Sequence, residues 1–422
     1  MLSSLLPQRS SNRRFIAFIV AAVAALAAPL QALAAFSPDL RMEPQPFRQD
    51  QVIDGRRFDY NAESFIHRAS FAPPRAIAAS VIPQDGITGT AGSSRSDELF
   101  VDMAIQTTHE LDQGVHFQYR FRRTEDFDGT YDRNLVGIGY QVNERFSARL
   151  MGDVIRDKSR IDLQPEFTWQ SGERLTLHGA LVFSDQMLNG KQDEDRFNTA
   201  PITRYLGLQW QLTDRQGLRA YGNHTPTTAL EQGATGTRFR DRHSRAGVAW
   251  DWHPNSHEHW QWLAEGETTD RASRLEEQTA LNEMTRRFWR SRVQYRQQGH
   301  DVERLRLGGQ FLFLREEGDF IGNQQEHTDR REVMLFAGTG WRLSSAWRFE
   351  PTVFVAHVEG NSFEQDEPQE VSDDLNGTYA KITLPFNWQP GGPEGATISL
   401  NPTFRLHRAA FGGGNLSLSI PL

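Results

Sequence analysis

The chain has 422 residues, with 46 basic and 54 acidic residues and a formal net charge of −8 at pH 7. This acidic balance argues against a nucleic-acid-binding protein, which needs a basic surface to displace counterions. Cysteine is absent, which excludes disulfides, thiolate metal sites and thiol catalysis. A mean hydropathy of −0.59 beside 27 Phe and 34 Gly is more typical of alternating strands than of a helical core.

The first 34 residues predict a cleaved signal peptide. Arg13 and Arg14 precede an apolar run from Phe15 to Leu30, and Ala32-Leu33-Ala34 supplies a site with small residues for a signal peptidase. The run is short for a helix that spans a bilayer, with an uncleaved anchor as the alternative, and no apolar run of 18 or more residues follows it. We therefore expect the protein to be exported.

Residues 35–74 do not alternate and are rich in proline and charge. This composition favours an extended segment, either a periplasmic strap or a plug in the lumen of the barrel that the later residues predict. Plain disorder is an open alternative.

Later in the chain, apolar residues occupy every second position for about ten residues at a time. Val115, Phe117, Tyr119 and Phe121 alternate with polar residues, and the same pattern recurs as far as residue 406. Successive side chains of a strand point to opposite faces, so each strand has one apolar and one polar face. The length matches the roughly 9–11 residues of a membrane strand better than the five or six of a soluble sandwich strand.

The connections between these strands alternate in length, as they do in a transmembrane barrel with short turns on one rim. The short connections are 111–114, 143–145, 171–174, 213–217, 253–257, 297–301 and 344–346. The long connections are 123–133, 186–203, 225–241, 267–285, 315–330 and 359–375.

From residue 99 the pattern predicts seventeen strands, whereas chain ends on one side of the membrane require an even number. We place the missing strand at Arg75–Ile82, followed by a Gly/Ser-rich loop over 84–97. The sequence thus predicts an all-β fold, a transmembrane antiparallel up-and-down β-barrel of about 18 strands over residues 75–422, with 16 strands as the alternative. Its parity predicts that Gly308 and Ser399, on the polar face, tolerate charge better than Leu307 and Leu400.

The signal peptide, the alternating strands, the loop asymmetry and the alternating C-terminus resemble those of bacterial outer-membrane β-barrel proteins. The C-terminal alternation consists of Leu416, Leu418, Ile420 and Leu422. The resemblance covers residues 75–422 and identifies a class rather than a family. It implies a place in the outer membrane of a Gram-negative cell, contact with outer-membrane lipid and lipopolysaccharide, and insertion by the barrel assembly machinery.

The polar face becomes the lumen of the barrel, and its cations are the candidate selectivity residues. They are Arg120, Arg122, Arg149, Arg290, Arg292, Arg304, Arg306, Lys381 and Arg405, and acids of the same face are Asp102, Asp153, Asp162, Glu166, Asp251 and Glu265. We expect Arg290 and Arg292 to face Arg304 and Arg306 across the turn, with no acid near them. Such a cluster would attract anions. Neutralisation by acids of neighbouring strands or of the N-terminal segment is the open alternative.

Other chemistry has weaker support. No G-x-S-x-G, H-E-x-x-H or P-loop motif occurs. His178 and Ser184 share a face but lie about 20 Å apart along a strand, so they cannot act together directly. The sequence favours a hydrated turn for His253, His257 and His259, and a solvated acidic loop over 359–375. We predict no catalytic residue, no metal and no cofactor.

An eighteen-stranded barrel leaves an interior wide enough for water. The leading functional expectation is therefore an outer-membrane channel for small solutes, biased toward anions. Export of an acidic polysaccharide or another secreted product is the runner-up. A barrel hydrolase and a structural or adhesive protein are further alternatives.

Overall fold

The computed structural model describes residues 44, 47, 52, 85–93, 99–126, 129–153, 162–184, 195–275, 282–299, 303–320, 324–364, 376–390, 395–407 and 409–422. Nearly all of these residues lie in β-strands or in the turns between them. Across these ranges, no helix has the length and apolar character that crossing a membrane requires.

The strand segments are numbered in chain order. They are β1 (Gly86–Ser93), β2 (Leu99–Asp112), β3 (Val115–Asp126), β4 (Gly129–Asn143), β5 (Phe146–Asp153), β6 (Leu163–Ser171), β7 (Leu175–Phe183), β8 (Arg196–Thr199), β9 (Ile202–Thr213), β10 (Gln216–Glu231), β11 (Arg238–Asn255), β12 (Glu258–Arg274), β13 (Asn282–Gln298), β14 (Glu303–Phe320), β15 (Gln324–Gly338), β16 (Trp341–Arg342), β17 (Trp347–Phe349), β18 (Thr352–Glu364), β19 (Gly377–Thr383), β20 (Phe386–Trp388), β21 (Thr397–Arg405) and β22 (Ala410–Pro421).

The segments form one closed sheet. Each wall strand is antiparallel to the strands before and after it in the chain, and β1 pairs with β22 to close the ring. Four wall strands are interrupted and consist of two segments each, namely β8 with β9, β15 with β16, β17 with β18, and β19 with β20. The fold is thus a closed 18-stranded antiparallel up-and-down β-barrel, and the predicted fold class and strand number are confirmed.

The strand that completes the even number lies elsewhere than predicted. It is β1, inside the expected loop 84–97, while Arg75–Ile82 lies outside the described residues. The segment reads GITGTAGS, and its glycines give it little intrinsic strand preference. Pairing with β2 on one edge and β22 on the other holds it in the sheet. Ile87 shares a face with its apolar partners Ile105 and Ile420, so the strand keeps the common parity.

The two faces of the wall differ as the alternation predicts. Apolar side chains of the outer face are exposed, as in Leu335 at 65%, whereas many polar side chains of the inner face are buried. Near the short turns, aromatic rings pair on the outer face. Trp250 and Trp252 have centroids 6.0 Å apart, and Trp260 and Tyr295 have centroids 4.8 Å apart. A belt of aromatic side chains of this kind marks one membrane interface, the height at which the lipid begins.

The strands extend well into the predicted long connections. β10 continues to Glu231 and β11 begins at Arg238, so the connection expected at 225–241 is reduced to 232–237. The predicted short turns remain short. Above the apolar band both faces meet polar surroundings, so the backbone ladder continues where the apolar alternation that reveals a strand has ended.

Two residues of the N-terminal segment lie inside the barrel. Phe47 and Val52 are buried in one cluster with Leu230 and Phe239, which belong to the inner face of β10 and β11 near their long-loop ends. The Phe47 amide donates a hydrogen bond to the Ser184 hydroxyl oxygen at 3.2 Å. The segment therefore contacts the lumen wall in the half of the barrel opposite the short turns.

Candidate functional site: the lumen wall

A buried carboxylate, Glu166, gathers inward side chains from four strands. Arg120 donates to both of its oxygens, at 2.5 and 2.8 Å. Gln164 donates at 2.6 Å, and Arg149 and His178 approach to 3.8 and 3.9 Å. Two of the predicted lumen cations, Arg120 and Arg149, thus share one acid.

A second buried carboxylate, Glu265, lies on the adjacent strand and pairs with one arginine of the predicted cluster. Its cross-strand partner Arg290 forms an ion pair with it. Arg245 donates to the second oxygen at 2.9 Å and Tyr221 at 3.0 Å, while Arg245 also lies 3.4 Å from Glu267. The expectation that no acid lies near Arg290 is therefore wrong, because β12 places its acids directly opposite β13.

The register of the β13–β14 hairpin also differs from the prediction. Arg306 pairs with Arg296, and Arg292 pairs with Gln310. Arg290 and Arg292 therefore do not face the arginines of β14. The side chain of Arg304 lies outside the described part of the structure.

Two of these arginines have partners further along the wall. The Arg306 guanidinium lies 3.8 Å from a carboxylate oxygen of Glu350. The Arg292 guanidinium carbon lies 5.0 Å from the centroid of the Phe336 ring, a cation–π arrangement. Gly308 leaves room for this ring, because a Cβ at Gly308 would lie 2.3 Å from its edge. The expectation that Gly308 tolerates a charged side chain is therefore wrong.

Three predicted cations remain. Arg122 lies 3.4 Å from Asp102. Lys381 and Arg405 are cross-strand partners on the inner face, and Lys381 is only 1% exposed. Glu332 acts electrostatically on Lys381. Like charges so placed repel each other, which favours anions or water beside them.

An aromatic pair joins these cations into one surface. The Phe336 and Phe354 rings are 5.8 Å apart, and Phe354 is the cross-strand partner of Lys381. We call the inward cations around this pair the cationic sector, and its members are Arg292, Arg296, Arg306, Lys381 and Arg405.

The histidines near the turn 253–257 are partly buried in the wall. His259 is 4% exposed, and its Nε2 lies 3.2 Å from an Asp251 oxygen, while Arg219 donates to the other oxygen at 2.7 Å. The His253 and His259 rings stack at 4.2 Å. A hydrated turn is therefore wrong for His259, although His257 is exposed. Within the described ranges, no group of three or more His, Asp or Glu side chains is placed so that it could hold a metal ion.

His178 and Ser184 have separate partners, as their spacing predicts. The His178 Nδ1 lies 3.1 Å from the Thr168 hydroxyl, and Ser184 accepts from the backbone of Phe47. The acidic loop expected at 359–375 begins as strand, since β18 continues to Glu364, and residues 365–375 lie outside the described residues.

Several arginines of the wall were missed by the sequence analysis. They share burial and inward parity, and they are Arg219, Arg245, Arg286 and Arg330. A strict parity count extended beyond the apolar stretches would have found Arg245 and Arg286, because they lie an even number of residues from the predicted inward positions Asp251 and Arg290.

No protein-family model and no curated protein sequence matches the chain. Among solved structures, it is similar to Pseudomonas aeruginosa OccD3 (OpdP), with 9% identity and a TM-score of 0.42 over 80% of this chain and 91% of that one. P. aeruginosa OccK11 (OpdR) gives 8% identity and a TM-score of 0.40 over 79% and 94%. A mutant of the Rh. blastica porin gives 10% and 0.33 over 80% and 98%. The closed 18-stranded sheet, the apolar outer face and the polar lumen wall are together the architecture of a bacterial outer-membrane β-barrel protein.

Proposed function

We propose that this chain forms an outer-membrane channel for small solutes, with a preference for anions, and that residues 1–34 are removed on export. The observation that carries the proposal is the cationic sector. Its five cations lie on the inner face of two strand pairs, β13–β14 and β19–β21, which β15 and β18 join into one stretch of wall. Glu350 lies 3.8 Å from Arg306, and Glu332 acts electrostatically on Lys381. Arg296 faces Arg306 and Lys381 faces Arg405 across neighbouring strands, and like charges so placed favour anions or water beside them.

The chemistry of the sector suits carboxylates and phosphates. A guanidinium stays charged at any physiological pH and presents its donors in a fork that matches both anions. The low-dielectric barrel wall concentrates this field, so the local anion concentration rises and cations are repelled, less so at high salt.

We also propose that the N-terminal segment narrows the channel as a lumen plug. The burial of Phe47 and Val52 against Leu230 and Phe239 supports this role.

The test is the reversal potential of the reconstituted protein in a planar bilayer under a KCl gradient. The wild type is expected to favour chloride. Lys381→Gln with Arg405→Gln should bring the permeability ratio toward unity, because two charges leave the wall at nearly constant volume. Arg315→Gln is the control, since that arginine is paired with Glu317 and exposed. A wild-type channel that prefers potassium, or a double variant that behaves as the wild type, contradicts the proposal.

The same cationic surface favours one other function, export of an acidic polysaccharide, because it extends from β13 to β21 along the wall. Adding a polyuronate oligomer to the bilayer experiment distinguishes a small-solute channel from a polysaccharide exporter. Block of conductance at micromolar oligomer, relieved in the Lys381→Gln/Arg405→Gln variant, favours the polymer. Conductance that is indifferent to the oligomer favours small solutes.

A further inference from the structure

A depression of about 590 Å³ lies on the outer, lipid-facing side of the wall. One row of cross-strand partners forms its floor, running in strand order through Leu206, Gly222, Ala246, Gly266, Trp289 and Phe313. The three small residues in the middle lie between larger side chains. A Cβ at Gly222 would meet nothing within 4 Å, whereas a Cβ at Gly266 would lie 3.0 Å from the Trp289 ring. The floor is therefore open at Gly222, and the Trp289 ring covers it at Gly266.

The next row toward the long loops gives the depression a basic and polar rim. Its cross-strand partners are Arg204, His224, Ser244, Thr268 and Arg287, and all of them line the cavity. The His224 Nδ1 and the Ser244 hydroxyl are 2.8 Å apart. The positive charges of Arg204 and Arg242 both act on His224. Cationic groups therefore lie at both ends of one edge of an apolar floor.

The distance of the rim from the opposite membrane interface can be measured from Trp252, which belongs to the aromatic belt at that interface. Ser244 lies eight residues from Trp252 on the outward face of the same strand. At about 3.3 Å per residue and a tilt of about 40°, this separation is about 20 Å along the membrane normal. An apolar band is about 25 Å tall. The rim therefore lies close to the headgroups of the outer leaflet, and the floor lies among the upper acyl chains.

We propose that this depression binds lipopolysaccharide, the phosphorylated lipid of the outer leaflet. An acyl chain lies on the floor at Gly222 and Ala246, and phosphate groups of the headgroup pair with Arg204 and Arg287 at the two ends of the rim. Guanidinium groups at a membrane surface pair strongly with phosphate, and the small residues give a chain room that larger side chains would fill.

Charge complementarity selects this occupant over a second copy of the chain. In a symmetric pair the same patch meets itself, so the basic rims would be brought together, and like charges repel. The proposal rests on the barrel architecture and is independent of channel activity, so each can fail without the other.

The experiment uses the full barrel in detergent, titrated with purified lipopolysaccharide, and native mass spectrometry counts the lipid retained. The wild type is expected to retain it with at least tenfold higher affinity than Arg204→Gln/Arg287→Gln, and dephosphorylated lipopolysaccharide should bind as weakly as that variant does. Gly222→Leu should weaken retention by filling the floor, and Gly222→Ala serves if the larger variant does not fold. Gly89→Leu is the matched control, because Gly89 is an outward glycine of β1 with nothing within 4 Å of an added Cβ.

Three results would overturn the proposal. The arginine variant could retain lipopolysaccharide as the wild type does, or the dephosphorylated lipid could bind equally well. Alternatively, Gly222→Leu could abolish a dimer or trimer while lipid retention stays unchanged, which would assign the depression to a second copy of the chain.

Discussion

The Glu265 carboxylate allows a direct measurement of what the lumen-wall ion pairs contribute to stability. It pairs with Arg290 and accepts hydrogen bonds from Arg245 and Tyr221 at 2.9 and 3.0 Å. Glu265→Gln keeps the volume but leaves two buried guanidinium groups short of one negative charge. Breaking a buried pair from one side costs about 3–5 kcal/mol. Because Glu267 still lies 3.4 Å from Arg245, we expect the lower end of that range.

The assay is urea unfolding of the barrel in lipid vesicles, followed by tryptophan fluorescence. Glu317→Gln is the matched control, because it removes the same charge from a pair with Arg315 in which both side chains are nearly half exposed. Such a pair contributes less than about 1 kcal/mol. A loss below about 1 kcal/mol for Glu265→Gln, or equal losses in both variants, would refute the view that buried ion pairs hold this wall together.

Further predictions concern the faces, the packing and the plug. Leu400→Arg should lower the free energy of unfolding by about 2–4 kcal/mol if the side chain meets the middle of the bilayer. Ser399→Arg, on the lumen face, should lower it less. Equal losses in the same urea titration would contradict the assignment of faces. Gly308→Ala should cost about 1–3 kcal/mol through overpacking against the Phe336 ring and the Val293 carbonyl oxygen, and a midpoint unchanged from the wild type would contradict this close packing. Phe47→Asp with Val52→Asp should raise single-channel conductance while the unfolding midpoint of the barrel stays constant, and unchanged conductance would argue against a plug.

The fold could be predicted because one physical requirement acts on every wall strand. Lipid demands an apolar outer face, so the period of two reveals both strand and facing, as at Leu400. β1 escaped because its outward residues are mostly small, and Gly89 or Ala91 gives no apolar signal in a single sequence. The polar ends of strands such as β10 were not predicted for a related reason. Beyond the lipid the outer face need not be apolar, so the alternating pattern ends before the strand does.

The sequence predicts which residues face the lumen but not which of them contact each other. Parity correctly places Arg290 and Glu265 on the inner face. Which two meet depends on the register between β12 and β13, and a shift of two residues changes every partner while leaving every facing intact. Contacts that depend on one ring position, such as Phe336 above Gly308, are likewise invisible to an alternating pattern.

The ion pairs of the wall constrain the register of the strands, which the apolar outer face leaves open. Any apolar residue satisfies lipid, so the outer face specifies which way a strand faces but hardly constrains its register. Arg149 and Glu166 are cross-strand partners, and a slip of two residues would place Ser147 or Met151 opposite the buried carboxylate. Removing the cation from a buried carboxylate is costly, so we infer that such pairs fix the register. Arg120 and Arg149, which share Glu166, are therefore assigned to holding the wall in register.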